Sequence, residues 1–301
     1  MLHNDRDLFE KVVLDASDHF GIVPVIIEKD YFVTIFLYEI LKRQPNIIFK
    51  GGTSLSKCYH LVNRFSEDID LNIECEQRPT ESQRKQLINN IRNIIEDYGF
   101  ILKNSEAIHS RRDFNRFEVD VHSVFASDFI KHDLIIETAV FLRSYPSVKK
   151  EVSSYVSEYL KFIGGEDIIS SFGLEPFEIQ VQAVERTFVD KIFAICDYYL
   201  DNKTDEHSRH LYDLYKMASI VEINKDLKEL FFSVREERKV HKSCPSAMEN
   251  IDIKSCLQEI IDKDIYKKDF ESITIPLVFE EVSYNTVKSN LQKIVCSKLF
   301  D

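Results

Sequence analysis

The stretch that decides the fold is 47-IIFKGGTSLSKCYHLVNRFSEDIDLNIE-74, in which an apolar strand runs into Gly51-Gly52-Thr53-Ser54 and the acidic Asp68-Ile69-Asp70 follows. Strand residues two apart project from one face, so Asp68, Asp70 and Asn72 line one side while Ile69, Leu71 and Ile73 enter the core. Two carboxylates then stand side by side, about 7 Å apart at Cα. That spacing suits divalent-metal chemistry.

Helical apolar spacing over 7–20 and 28–43 predicts two helices leading into the first strand. Thr53 or Ser54 is expected to cap a short helix through His60, and the second strand runs from Asp68 to Glu74. Downstream, the pattern predicts a helix over 80–98 and strands over 100–108, 114–125 and 133–142. From 150 the spacing turns helical, with a break at 164–176, a short FEIQV strand and the helix VERTFVDKIFAICDYYL. Further helices are expected at 208–221, 225–238, 254–264 and 285–299. The fold class is α+β: a mixed sheet with flanking helices over 1–180, then a C-terminal helical bundle domain over 181–301.

With 301 residues, 44% hydrophobic and 30% charged, the chain can bury a large core and carries no disorder signature. The charged N-terminus and the lack of any long apolar run predict a cytoplasmic protein with no membrane span. Cys58, Cys75, Cys196, Cys244, Cys256 and Cys296 form no CxxC pair and read as reduced core residues. The formal charge of -12, from 39 basic and 51 acidic residues, argues against a sequence-independent nucleic-acid coat. An RNA contact would need a local patch, and Arg235, Arg238, Lys239, His241 and Lys242 are either that or a solvated face.

Only seven glycines occur, so adjacent Gly51 and Gly52 stand out as a place for close backbone approach. Gly51, Gly52, Thr53 and Ser54, with Lys57 behind them, read as a phosphate cradle or as a plain tight turn. Asp68 and Asp70 read as Mg²⁺ ligands, Mn²⁺ being the alternative, or as a solvated acidic edge. Two poor strand formers among Ile, Leu and Ile favour the metal. A third carboxylate is expected from Glu137, on a face with Ile135, Ala139 and Phe141; Asp120 competes, but its face also holds Glu118 and His122. Lys191 lies on a stripe with Val184, Phe188, Ile195 and Tyr199, so its ammonium either binds phosphate or snorkels to water. Asp213, four residues after Arg209, reads by itself as an i,i+4 ion pair.

Taken together, KGGTSLSK, FSEDIDL, IIETAVF, VDKIFAI and RHLYDLY, with the early EKDYF, resemble the AbiEii/AbiGii toxin family of nucleotidyltransferases. That family belongs to the DNA polymerase β-like nucleotidyltransferase superfamily, and the resemblance spans residues 28 to 220. It implies an N-terminal nucleotidyltransferase domain and a C-terminal helical domain, with NTP and Mg²⁺ held by both. It implies too a toxin of a bacterial toxin–antitoxin or abortive-infection pair, with an antitoxin partner. On that carry-over Gly51, Gly52, Thr53 and Ser54 bind phosphates, Asp68 and Asp70 bind metal with Glu137, Lys191 contacts the triphosphate, and Asp213 orients Lys191 or the nucleotide. Two positions depart from the family pattern: His210 follows Arg209 where Asp is usual, and the third acid is Glu. The implied reaction is transfer of a nucleoside monophosphate to an acceptor hydroxyl, RNA and particularly a tRNA 3′ end leading over protein or small-molecule hydroxyls. Two other functions are weighed against it: a GTP- or NTP-binding module acting through a protein partner, and a purely structural interaction protein.

Overall fold

A computed structural model describes residues 1–64, 66, 68–75, 78–125 and 133–301. The chain divides into two compact units, Met1–Cys58 with Glu67–Val181, and Tyr59–Ser66 with Gln182–Asp301. The described residues form a mixed α/β fold with a seven-stranded sheet and twelve helices.

The first unit is built on that sheet. Its strands are β1 (Ile47–Lys50), β2 (Asp68–Ile73), β3 (Ile101–Leu102), β4 (Phe114–Asp120), β5 (Leu134–Ala139), β6 (Ser147–Val152) and β7 (Phe177–Gln182), in the order β3-β4-β5-β2-β1-β7-β6. β1 is antiparallel to β2 and parallel to β7, and β2 is parallel to β5, which is antiparallel to β4. The alternation in β2 does what its period demands: Ile69, Leu71 and Ile73 are buried, while Asp68 and Asp70 stay half-buried on the other face.

Helices α1 (Arg6–Phe20), α2 (Pro24–Arg43), α3 (Gly51–Lys57), α4 (Glu81–Asp97), α5 (Tyr155–Phe162) and α6 (Glu166–Phe172) complete this unit. α2 starts on a proline at its first position and buries most of its circumference, as a helix apolar nearly all round must. Thr80 and Gln83 close a capping box on α4. Phe9, Phe36, Phe49 and Phe117 are fully buried in the core.

The second unit carries α7 (Val184–Leu200), α8 (Arg209–Met217), α9 (Lys225–Arg238), α10 (Ile253–Asp262), the single turn α11 (Lys267–Asp269) and α12 (Tyr284–Val295). Phe188, Phe193, Tyr212, Phe231 and Tyr266 fill its core. The Tyr266 hydroxyl is satisfied by donating to Ile195 O at 2.8 Å. Among the described residues, no helix is long and apolar enough to cross a membrane.

Several sequence expectations are corrected. The 100–108 strand shrinks to β3 because Asn104 substitutes for the ladder, donating to Arg116 O at 2.8 Å and accepting from Glu118 N at 3.1 Å. The 114–125 strand ends at Asp120, whose Oδ1 accepts from His122 N, with His122 in the left-handed region at φ 56. Beyond it, the buried Glu28 carboxylate accepts the backbone N–H groups of Val124 and Phe125. Residues 147–152 form a strand, so the helix expected from 150 starts only at Tyr155, after the Ser154 cap. The 164–176 break holds α6, stopped by Gly173 at φ 65. All six cysteines are free thiols; Cys296 is exposed and Cys75 only half-buried, so those two are not core residues.

Candidate active site

In the first unit, β1 delivers the chain directly into α3, and Lys50 rather than Thr53 or Ser54 occupies the cap position. The two hydroxyls are used otherwise: Thr53 Oγ1 donates to Asp68 O at 2.6 Å and Ser54 Oγ to Gly51 O at 2.8 Å. The first of these bonds ties the start of α3 to the start of the acidic strand. Gly51 adopts φ 79, and a Cβ there would overlap the Asp70 carboxylate, lying 2.7 Å from its Cγ. Only glycine lets the turn and Asp70 share this space.

Register sets the neighbours of the acidic pair. Lys50 stands opposite Asp70 across β1 and β2, Asp70 stands beside Glu137 across β2 and β5, and Arg116 stands opposite Glu137 across β4 and β5. One row of the sheet therefore reads Lys, Asp, Glu, Arg. Arg116 Nη1 donates to Glu137 Oε1 at 2.6 Å. Burial works against the Arg116 cation, but Glu137, Asp68 and Glu118 more than offset it and raise the guanidinium above its ordinary value.

Asn72 shares the Asp face but is 1% exposed and structural: its Nδ2 donates to Leu142 O at 2.7 Å and to Ser144 Oγ at 2.8 Å. The Lys57 ammonium is buried against Asp30 Oδ1 at 2.5 Å, and Asp30 Oδ2 accepts from Tyr155 N.

A divalent hard cation takes oxygen ligands and is commonly held by one or two carboxylates plus substrate phosphates. Asp68 and Asp70, half-buried on one strand face, fit that donor set. Glu137 is occupied with Arg116, and among the described residues no group of three or more His, Cys, Asp or Glu side chains forms a metal-holding cluster.

The second unit brings together the remaining candidates. Asp213, on α8, is fully buried and accepts from Arg64 Nε at 2.7 Å and Nη2 at 2.8 Å. Its Oδ2 also lies 2.7 Å from Lys191 Nζ on α7. Asp213 thus meets two cations reached through the fold, beyond the i,i+4 spacing to Arg209. Lys191 itself is 8% exposed, which removes the snorkelling alternative.

Lys191 Nζ is 3.0 Å from His210 Nδ1. An ammonium has only donors, so the ring nitrogen accepts and His210 is neutral. Burial, then the Lys191 and Arg209 charges, hold His210 well below its ordinary value. Burial would raise Asp213, but Arg64 and Lys191 outweigh it and keep the carboxyl below the usual carboxylate range. The His210 ring lies parallel to those of Tyr198 and His207, its centroid 5.7 and 6.0 Å from theirs, and the latter two stack 3.4 Å apart.

Sequence reading missed Arg64 and Arg116. For Arg116 the signal was its shared alternation with Glu118 and Asp120; for Arg64 only its place in NRFSEDID was visible. The 235–242 basic run is largely spent inside the unit: Arg238 is buried against Asp190 and Asp197, and Arg235 donates to backbone carbonyls of Met248 and Ile251.

The sequence profile of the family described as "Nucleotidyl transferase AbiEii toxin, Type IV TA system" matches residues 35–290. No curated protein matches the chain's sequence. Among solved structures the fold is similar to MenT4, a nucleotidyltransferase toxin from Mycobacterium tuberculosis H37Rv, at 16% identity and a TM-score of 0.54, over 96% of this chain and 89% of that one.

Proposed function

The chain belongs to the AbiEii nucleotidyltransferase toxin family, and from that premise we propose that it moves a nucleoside monophosphate from an NTP to an RNA hydroxyl, a tRNA 3′ end being the favoured acceptor. The acceptor hydroxyl gives its proton to solvent as its oxygen attacks the α-phosphorus, the bond to the bridging oxygen breaks, and pyrophosphate leaves with the electron pair. The sheet unit acts as the nucleotidyltransferase domain and the helical unit as a C-terminal bundle domain. The setting is the bacterial cytoplasm, with an antitoxin as partner.

Asp68 and Asp70 hold Mg²⁺ or Mn²⁺, which when bound neutralises triphosphate charge and favours ionisation of the acceptor hydroxyl. Gly51 leaves Asp70 its room, and the Gly51–Ser54 backbone faces phosphate. Lys191 donates to the triphosphate, while Asp213 and His210 set the direction of its ammonium. The observation that best supports this reading is the Gly51–Asp70 approach, a glycine-only contact linking the candidate cradle to the candidate metal ligand.

The test is incubation of purified protein with each α-labelled NTP, Mg²⁺ and total RNA. Label is expected in RNA with wild type and not with Asp70→Asn. NTP binding without transfer to any acceptor would replace the enzyme reading with an NTP-binding module.

A further inference from the structure

A groove of about 560 Å³ opens in the first unit between α4 and the 108–112 segment, and none of the candidate active-site residues lines it. Its floor is apolar, Ile88 and Ile108 each being 5% exposed, and its walls carry Lys85, Arg92, Arg111 and Arg112. No carboxylate lines it among the described residues. In a chain of formal charge -12, four cations converging on one concavity are a local reversal of sign.

The way these arms are held keeps their charge available. Arg92 Nη2 donates to Ser105 O at 3.3 Å and Arg112 Nη1 to Ala107 O at 3.1 Å, so backbone carbonyls orient both guanidiniums without neutralising them. Arg92 Nε is buried with no hydrogen-bond partner. Asp113, next in sequence to Arg112, is already shared by Arg78 and by Arg84, at 2.6 Å from the latter. Arg111 has only a loose, exposed approach to Glu81 at 3.6 Å. Elsewhere in this unit a cation such as Lys103 or Arg43 sits directly on a carboxylate.

We propose that this groove binds the phosphate backbone of an RNA strand. Oriented, un-neutralised guanidiniums are the usual phosphate donors. An open trough with several cations in series suits a continuous polyanion better than one small anion, which would engage one or two of them. Asn89 and Ser110, also on the walls, add neutral groups that can exchange hydrogen bonds with ribose 2′-hydroxyls, which DNA and polyphosphate lack. The proposal deepens the RNA-acceptor reading and rests on it for the choice of RNA, but it concerns binding and requires no catalysis.

The experiment is fluorescence anisotropy of a labelled RNA against the full chain, without NTP, over a range of salt. Arg111→Gln/Arg112→Gln is expected to weaken RNA binding on the order of tenfold and to lower the slope of log K against log salt by about 1.4, at about 0.7 per single-strand phosphate contact. Both side chains are exposed, so unfolding is checked by melting; should that loop misfold, Lys85→Gln on the exposed face of α4 gives the same readout at half the slope change. Unchanged affinity and slope, absence of RNA binding by wild type, or equal competition by polyphosphate or single-stranded DNA would each overturn the assignment. RNA binding by wild type with no label transfer would fault the transferase reading and leave the groove standing.

Discussion

Gly51 and Asp70 occupy adjoining space so closely that any side chain at 51 would overlap the Asp70 carboxylate. Gly51→Ala therefore combines left-handed backbone strain with displacement of the candidate metal ligand, and is expected to cost about 1–3 kcal/mol. Gly21, at φ 67 with no atom within 4 Å of where a Cβ would stand, is the internal comparison. Gly21→Ala should cost about 1 kcal/mol and leave NMP transfer unchanged. Urea unfolding and label transfer measure both; equal losses of transfer in the two variants would contradict the close-approach argument.

Asp70→Asn and Asp68→Asn should each lower transfer by about 10²-fold or more, the scale seen when a preorganised electrostatic group is removed. Glu137→Gln should be milder, about tenfold, because its Oε1 is engaged with Arg116. Chelation with EDTA should stop transfer, and Mg²⁺ should restore it. A Glu137 effect as large as that of Asp70 would mean that Arg116 gives Glu137 up to the metal.

Asp213→Asn removes the carboxylate shared by the buried Arg64 and Lys191. Two cations then face each other without compensation, and about 3–5 kcal/mol of stability should be lost. Lys191→Met leaves the Arg64–Asp213 pair in place, so it should keep the fold and weaken NTP binding. Isothermal titration on the folded Lys191→Met protein decides the second point, unchanged affinity ruling out a nucleotide contact.

Acid should destabilise the protein below about pH 6.5. His210 and His207 are lowered, and His3 is lowered to about 4, burial being the first cause for each. The unfolded chain then binds protons that the folded chain refuses, so stability rises with pH across this window and is lost as pH falls toward 4. Asp213, also lowered, adds a loss only below the ordinary carboxylate range. His210→Asn should flatten the slope by at most about 1.4 kcal/mol per pH unit, less because the residue is only half-buried. Urea midpoints at pH 7.5, 6 and 5 provide the comparison; a wild-type midpoint that does not move would refute it.

The β2 face was legible because strand periodicity is local: Asp68 and Asp70 alternate with Ile and Leu, and nothing outside the segment is needed to sort them. The same rule placed Asn72 on the acidic face correctly, yet could not show that Leu142 O and Ser144 Oγ would bury it. The strand at 100–108 failed for a different reason. A single Asn side chain competed with the ladder, and propensity does not register one such competitor.

The 47–74 stretch by itself determined a strand, a glycine turn and an acidic strand, since φ freedom and period-two alternation are properties of the segment. Charge partners were decided only by tertiary structure. Glu137 meets Arg116 through the antiparallel register of β4 and β5, and Asp213 meets Arg64 across 149 positions of sequence, where i,i+4 reasoning had chosen Arg209. A carboxylate removed from water must be matched by whatever cation the fold brings to it, and burial, unlike periodicity, is not a local quantity.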